Sequence, residues 1–296
     1  MNEESLMRSR IRKILMICSN YDAFALEEDG RIENQVKNEY RELNLSNPPK
    51  FIWANSSAQA RDIIGSEEDI DMIICMYNEQ DKEIFPFASR LKDEGRGIPF
   101  ILLIHYSKAV RQRVLESPHP GVDFVFSWHG NADLILAIVK LLEDAANADN
   151  DVFEVGVKGI LLVEDSIRYY SNYLPELYKI VLTQSREFLT ESLNDDQKKY
   201  RKRSRPKIFL ATCLEEALAY FKKYGRNLLG VISDVGMVVH KGDDPKTEKL
   251  DAGIDLVKVI REYDPLMPVL LQSSQGSLAK VAEELGVGFL KKYSST

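Results

Sequence analysis

Asp234 closes an apolar run, Leu228 to Ile232 followed by Ser233, and three other polar sites stand at matching places in the same half of the chain. They are Glu164 and Asp165 after Ile160-Leu161-Leu162-Val163, Ser273 after Val269-Leu270-Leu271, and Lys292 after Phe289-Leu290. Each is a polar group at the C-terminal end of a buried-strand pattern, the edge where open α/β sheets place their ligands. In a sheet of order 2-1-3-4-5, Glu164 and Asp165 stand beside Asp234, on strands about 4.8 Å apart. Three carboxylates that close resist full ionisation together unless a cation joins them. Mg²⁺ is the natural candidate, since it prefers oxygen ligands and keeps waters or phosphate oxygens in its remaining positions. The Ser273 hydroxyl and the Lys292 ammonium complete a pocket for a tetrahedral dianionic group, which phosphoryl transfer needs for positioning and charge neutralisation. An Asp carboxylate can itself serve as the nucleophile. The plainer reading makes the carboxylates helix N-caps or solvated strand ends.

The elements that position these residues follow from hydrophobic periodicity, which gives the same strand-helix alternation twice. In the first half the strands are Lys13 to Cys18, Lys50 to Ala54, Asp71 to Met76, Pro99 to Ile104 and Val122 to Phe126. Helical patterns cover Ile32 to Leu43, Ala58 to Ile64, Ile84 to Lys92, Lys108 to Glu116 and Ala132 to Ala145. The polar stretch Ala146 to Glu154 reads as the boundary between domains 1–150 and 151–296. The second half has strands Gly159 to Val163, Lys207 to Thr212, Asn227 to Ser233, Pro268 to Leu271 and Gly288 to Lys291. Its helices are Ser166 onward, Leu214 to Tyr224, Gly253 to Tyr263 and Ser277 to Leu285. Short apolar strands alternating with amphipathic helices imply α/β architecture: two tandem flavodoxin-like domains, each with a five-stranded parallel sheet covered on both faces. The second lacks a fifth helix, so the expectation is a fragment of a longer protein, or a helix supplied by another copy.

Gly159-Ile-Leu-Leu-Val-Glu-Asp-Ser166, Val231-Ile-Ser-Asp-Val-Gly-Met237, Pro268-Val-Leu-Leu-Gln-Ser-Ser274 and Phe289-Leu-Lys-Lys292 resemble, in order, the signature segments of response-regulator receiver domains. That resemblance implies Asp234 as phosphoacceptor, Glu164 and Asp165 as the acidic pair holding Mg²⁺, and the Gly236 carbonyl as a further ligand. It makes Ser273 the hydroxyl that follows the phosphoryl group, Lys292 its ion-pair partner, and Phe289 the aromatic position that reports phosphorylation. The phosphoryl source it implies is a histidine kinase or a small phosphodonor. Two departures stand out: Tyr293 replaces the usual proline, and Val238 to Ala252, VVHKGDDPKTEKLDA, is an insertion whose His240, Asp243 and Asp244 could overhang the site or be solvated.

In the same register the first half has Cys18 and Ser19 for Glu164 and Asp165, Met76 for Asp234, Ile104 for Ser273, and Ser127-Trp128 for Lys292-Tyr293. With the carboxylates gone it reads as a degenerate, pseudo-receiver domain used for contact. Asp22, Glu27, Glu28 and Asp29 fit no Ca²⁺ loop pattern and read as a solvated loop. After Ser166 the helical stripe continues through Pro175 toward Arg205, and a helix of about 35 residues would span about 50 Å. Its protruding stripe must bury against something: the first domain, a second copy in a homodimer, or downstream domains. The basic tail Lys198 to Lys207 reads as a solvated helix end or, alternatively, an acidic-partner patch.

Of 296 residues 44% are hydrophobic and 29% charged, and the net charge is -7. Residues 1–150 hold 17 Lys+Arg against 25 Asp+Glu, and the remainder 22 against 21, a balance that argues against a broad nucleic-acid surface. No apolar run approaches a membrane span of about 20 residues and no signal segment opens the chain, so a cytoplasmic protein is the default. Cys18, Cys75 and Cys213 lack metal or disulfide spacing and read as buried filler. Taken whole, ICSNYDAFALEEDGRIENQ followed by a receiver with an extended first helix looks like the N-terminal region of bacterial phosphoenolpyruvate synthase and pyruvate phosphate dikinase-like proteins. The resulting expectation is two-component signalling through Asp234, controlling C-terminal domains of a longer parent. The alternative is a tandem interaction or dimerisation module that is never phosphorylated. An aspartate-nucleophile phosphatase fits less well, because Gly236 stands where D-x-D needs its second acid.

Overall fold

Met72-Ile73-Ile74-Cys75-Met76 has no strongly polar position, so a strand made of it must be covered on both faces, and all five residues are buried. The same logic shapes the whole molecule, a computed structural model that describes residues 7–20, 32–43, 45, 47–66, 69–105, 110, 114, 119–130, 132–190 and 205–292. Its chain packs as two compact units: Ser9–Leu142 with Ser171–Arg186, and Met1–Arg8 with Glu143–Tyr170 and Glu187–Thr296.

The first unit is built on strands β1 (Lys13–Ile17), β2 (Lys50–Ala54), β3 (Met72–Met76), β4 (Phe100–His105) and β5 (Phe124–Trp128). They pair in parallel in the order β2-β1-β3-β4-β5. Helices α1 (Ile32–Glu42), α2 (Ser57–Gly65), α3 (Ile84–Asp93) and α4 (Ala132–Asp149) lie between or after them. Local chemistry sets the ends. The Ser56 hydroxyl caps α2 by accepting from the Gln59 N–H, and Asp81 accepts from both the N–H and the hydroxyl of Ser57. The pattern Lys108 to Glu116 and the acidic loop Asp22 to Asp29 lie outside the described residues, apart from Val110 and Val114.

The second unit repeats the plan with β6 (Gly159–Val163), β7 (Lys207–Ala211), β8 (Leu228–Asp234), β9 (Val269–Ser273) and β10 (Gly288–Lys291). All pairings are parallel and the order is β7-β6-β8-β9-β10, so both sheets are 2-1-3-4-5 in their own strand numbering. Helices α5 (Ile167–Thr190), α6 (Leu214–Tyr224), α7 (Ala252–Tyr263) and α8 (Ala279–Glu284) complete it. On one face Leu161, Val163, Phe209, Val231 and Leu271 pack with Ala217, Phe221, Leu256, Val257 and Ile260 in one core. α6 has acidic residues in its first turn, Glu215 and Glu216, and Lys222 and Lys223 in its last, matching the helix dipole at both ends.

Two expectations change. The stretch Ala146 to Glu154 is helical, not a weak linker: α4 runs to Asp149 and a π-helical turn continues from Asn150 to Glu154. Within it Asn147 and Asp151 are buried, and Asp144 just before it is buried too. Arg205 donates to both oxygens of the wholly buried Asp144 at 2.8 and 2.9 Å, and the Ile208 N–H donates to the same carboxylate at 3.0 Å. Lys207 Nζ, also wholly buried, lies 2.6 Å from Asp151 and 3.5 Å from Asp144. Burial pushes the Asp144 carboxyl up, but Arg205 and Lys207 outweigh it and hold it below its ordinary value. Arg205 and Lys207, read from sequence as part of a solvated basic tail, are therefore the clamp that starts β7. The expected long helix is seen as Ile167–Thr190 and passes through Pro175; the rest of that expectation, residues 191–204, lies outside the described residues. Its Ser171–Arg186 segment belongs to the first unit, where the Ser171 hydroxyl accepts from the Ser127 N–H and Arg186 donates to the Glu42 carbonyl.

Among the described residues no helix is long and apolar enough to cross a membrane. All three cysteines are free and buried.

Candidate phosphoryl-acceptor and cation site

The ladder of the second sheet brings the sequence-singled residues to one edge. Val163 pairs with Ala211 and Ser233, Asp234 with Gln272, and Lys291 with Ser273. Glu164 follows β6 directly, its N–H donating to the Ala211 carbonyl at 3.0 Å, and Lys292 follows β10, its N–H donating to the Ser273 carbonyl at 2.9 Å. Gly253, in the first turn of α7, permits the close approach beneath Asp234: a Cβ there would lie 2.2 Å from the Asp234 carbonyl oxygen.

Lys292 is the hub. Its ammonium lies 2.7 Å from Glu164 Oε2 and 2.5 Å from Asp234 Oδ2, and sits 4.1 Å from the centre of the Tyr169 ring. The other Asp234 oxygen accepts from the Val235 N–H at 2.8 Å, the other Glu164 oxygen from the Ser166 N–H at 3.1 Å, and Asp165 Oδ2 from the Val238 N–H at 3.1 Å. Glu164, Ser273 and Lys292 are buried, while Asp165 and Asp234 are half-buried. Ser273 lies one residue beyond the partner of Asp234, and its hydroxyl accepts from the Gln275 N–H at 3.1 Å. Gly236 stands two residues after Asp234 with the Glu248 carboxylate against it; a Cβ on Gly236 would meet Glu248 Oε1 at 2.1 Å.

The electrostatics are those of an acid-rich pocket with too little positive charge. Burial, with the charge of Asp234, pushes the Glu164 carboxyl up to about 8 despite Lys292. Burial pushes Asp165 up to about 6, with Glu248 and Asp234 adding to it and the Val238 N–H and Lys292 opposing. Burial pulls Lys292 down, but Glu164 and Asp234 more than offset it, so its ammonium is held above the ordinary lysine value. One oxygen each of Glu164, Asp165 and Asp234 lie within 4.8 Å of one another. An octahedral Mg²⁺ with bonds of about 2.1 Å spaces its ligand oxygens by about 3–4 Å. The triad therefore suits such a cation once its widest pair closes by about 1–2 Å, or with one carboxylate acting through water.

The inserted segment is ordered by the protein around it. Met237 and Lys249 form an antiparallel bridge, and the Leu214 and Glu215 N–H groups donate to the Val238 and Val239 carbonyls. His240 Nδ1 lies 3.1 Å from Glu215, Asp243 accepts from the His240 N–H, and Asp244 caps the turn Pro245–Thr247. These three thus serve the insertion itself, while Glu248 and the Val238 N–H reach the site. Sequence reading singled out neither, nor Tyr169; only the position of Tyr169 one turn after Glu164-Asp165, in a helix starting at their strand end, gave any signal.

The first sheet shows the same edge without the chemistry. By ladder register Cys18 corresponds to Glu164, Met76 to Asp234 and Ile104 to Ser273. The last expected match shifts by one: Ile104 pairs with Ser127, so Ser127 corresponds to Lys291, and the buried Trp128 takes the place of Lys292. β5 also begins two residues later than its apolar pattern, and Asp123 just before it accepts from the Phe100 N–H and from Lys92.

No protein-family model and no curated protein sequence matches the chain. Among solved structures it is similar to a probable two-component system response regulator/GGDEF domain protein, at 17% identity and TM-score 0.36, over 96% of this chain and 93% of that one. A putative protein of the same description matches at 16% identity and TM-score 0.36 over the same shares. The arabinose-binding protein AraP from Geobacillus stearothermophilus matches at 11% identity and TM-score 0.25, over 94% and 80%. Likenesses this distant carry no weight here; the fold rests on the two sheet orders and their registers.

Proposed function

We propose that the second unit accepts a phosphoryl group on Asp234 in the presence of Mg²⁺, as a receiver-type element of two-component signalling, and that the first unit serves contact alone. The observation that supports this most is the convergence of Glu164, Asp165, Asp234 and Lys292 at one sheet edge with a single ammonium among three carboxylates. Purely structural carboxylates would be expected to have a cation each or open solvent; here the buried Glu164 shares the Lys292 ammonium with Asp234.

In the step itself an Asp234 oxygen attacks the phosphorus of a histidine kinase phosphohistidine or a small acyl phosphate. The new O–P bond forms as the donor's bond to phosphorus breaks, and the donor leaves with that electron pair. Glu164, Asp165, Asp234 and the Gly236 carbonyl are the residues that would hold Mg²⁺, whose positive charge offsets the negative charge on the phosphoryl oxygens. Lys292 is placed to turn from the Asp234 carboxylate to a phosphoryl oxygen, and Ser273 offers a hydroxyl from the adjoining strand. The signal passes to a partner or a downstream domain. By the sequence resemblance that domain is of the phosphoenolpyruvate/pyruvate-binding class.

The test is incubation of the chain with Mg²⁺ and acetyl phosphate, followed by intact-mass measurement. A single added phosphoryl group that disappears with Asp234→Asn, and with chelation of Mg²⁺, is the expected result. An unmodified mass under conditions where the chain is folded overturns the proposal and leaves the non-phosphorylated interaction module.

A further inference from the structure

The inserted segment Val238–Ala252 has so far been described as a structural addition, yet one of its side chains faces the pocket. The Met237–Lys249 bridge, with N–H···O distances of 2.9 and 3.2 Å, fixes the base of the insertion and leaves Glu248 beside Gly236. Gly236 has no side chain to keep that carboxylate away, and any Cβ would collide with it at 2.1 Å. Two of the three lysines of the insertion are engaged elsewhere: Lys249 pairs with Asp255, and Lys241 with Glu216 at 3.0 Å. Among the described residues no cation pairs with Glu248, although its carboxylate lies against Gly236, two residues after Asp234. A flexible, exposed glutamate normally turns away from other acids, because an ion pair or open water is better than like-charge repulsion. Here the bridge holds the backbone of Glu248 close to Gly236, and the same insertion supplies the Val238 N–H that orients Asp165.

We propose that Glu248 is a fourth acidic group of the cation site, a specificity-determining residue by which the insertion raises the affinity of the pocket for divalent cations. The inference rests on the reading that Glu164, Asp165 and Asp234 hold Mg²⁺. Because Mg²⁺ keeps part of its water shell, Glu248 need not displace a ligand; its carboxylate acts on the hydrated cation through charge and hydrogen bonding. The effect is therefore graded by charge and screened by salt.

The experiment is titration of the full chain with Mg²⁺ by calorimetry and with Mn²⁺ by electron paramagnetic resonance, at low and high ionic strength. Glu248→Gln, Glu248→Lys and Asp165→Asn are compared with the parent sequence. Circular dichroism checks that each variant is folded, which an exposed loop position favours. The expected result is a roughly three- to tenfold weaker Kd for Glu248→Gln, a further loss for Glu248→Lys, and convergence of the three proteins as salt rises. If Asp165→Asn loses cation binding while Glu248→Lys binds as tightly as the parent at low salt, Glu248 is idle and this inference falls while the phosphoryl-acceptor reading stands. If the parent binds no divalent cation, both fall.

Discussion

Replacing Arg205 by Ala leaves a carboxylate without its main partner in the interior of the second unit, and the cost can be bounded. Asp144 is wholly buried and loses two charge-assisted bonds of 2.8 and 2.9 Å, retaining the Ile208 N–H at 3.0 Å and Lys207 at 3.5 Å. Breaking one side of a buried pair generally costs about 3–5 kcal/mol. The stranded group can instead take up a proton. Raising a carboxyl from its ordinary value near 3.8 until it is neutral at pH 7 costs about 4 kcal/mol, which caps the loss. With Lys207 still near, about 3 kcal/mol is expected, equivalent to a fall in Tm of the second unit of roughly 6–12 °C. Both tryptophans, Trp53 and Trp128, lie in the first unit, so tryptophan fluorescence is the wrong probe. Calorimetry, and hydrogen exchange of peptides covering Lys207–Ala211, report the right region. The pH dependence has a definite sign. The folded-state pKa of Asp144 is depressed, so its contribution is present above the unfolded value and is lost as pH falls through the folded one. Arg205→Ala replaces that depression by the rise that burial imposes, so the gap between parent and variant is widest near neutrality and narrows as pH falls from there. Asp144→Asn with Arg205→Met should recover most of the loss, since the Asn oxygen still accepts from the Ile208 N–H. A gap under about 1 kcal/mol, or one independent of pH, would refute the assignment of this pair as a clamp.

Gly253→Ala places a Cβ 2.2 Å from the Asp234 carbonyl oxygen, so a loss of about 1–3 kcal/mol or more in thermal melts is expected together with loss of phosphoryl acceptance; a variant with unchanged Tm would contradict the packing described. Lys292→Met removes the cation competing for Glu164 and Asp234. It should bind Mn²⁺ more tightly by about tenfold yet accept phosphoryl groups more slowly by at least tenfold, as initial rates by intact mass will show. Ser273→Ala should slow acceptance by about ten- to a hundredfold while leaving the Mn²⁺ titration unchanged, and a matching loss of cation affinity would count against the role given to its hydroxyl.

The parts of this molecule that were legible from sequence share one property: their signal is local. A run such as Ile160 to Val163 ending at Glu164 announces both a buried strand and the polar group at its end, and two sets of five such runs give two parallel sheets. The parts that were not legible depend on partners far along the chain. Asn147 and Asp151 look like linker residues, and Asp144 like an ordinary helix position, until Arg205 and Lys207 are seen against Asp144 and Asp151, more than fifty positions away. β5 starts two residues past its apolar pattern, and Asp123 just before it is held by Phe100 and Lys92, contacts that no local pattern announces. Glu248 and Tyr169 reach the pocket only because a bridge and a helix start bring them there, and no spacing rule connects them to Asp234. The residues of the acceptor site were readable because strand order alone gathers strand ends; what surrounds them was not.

The central claim is that Asp234 is the atom-bearing acceptor, and the most direct measurement locates the phosphoryl group chemically. After incubation with Mg²⁺ and acetyl phosphate, borohydride reduction converts an aspartyl phosphate to homoserine, which peptide mass spectrometry places at a single position. Homoserine at residue 234, and nowhere in the first unit, is the result predicted. Homoserine at any other aspartate, or none from a folded chain that has bound Mg²⁺, would contradict it.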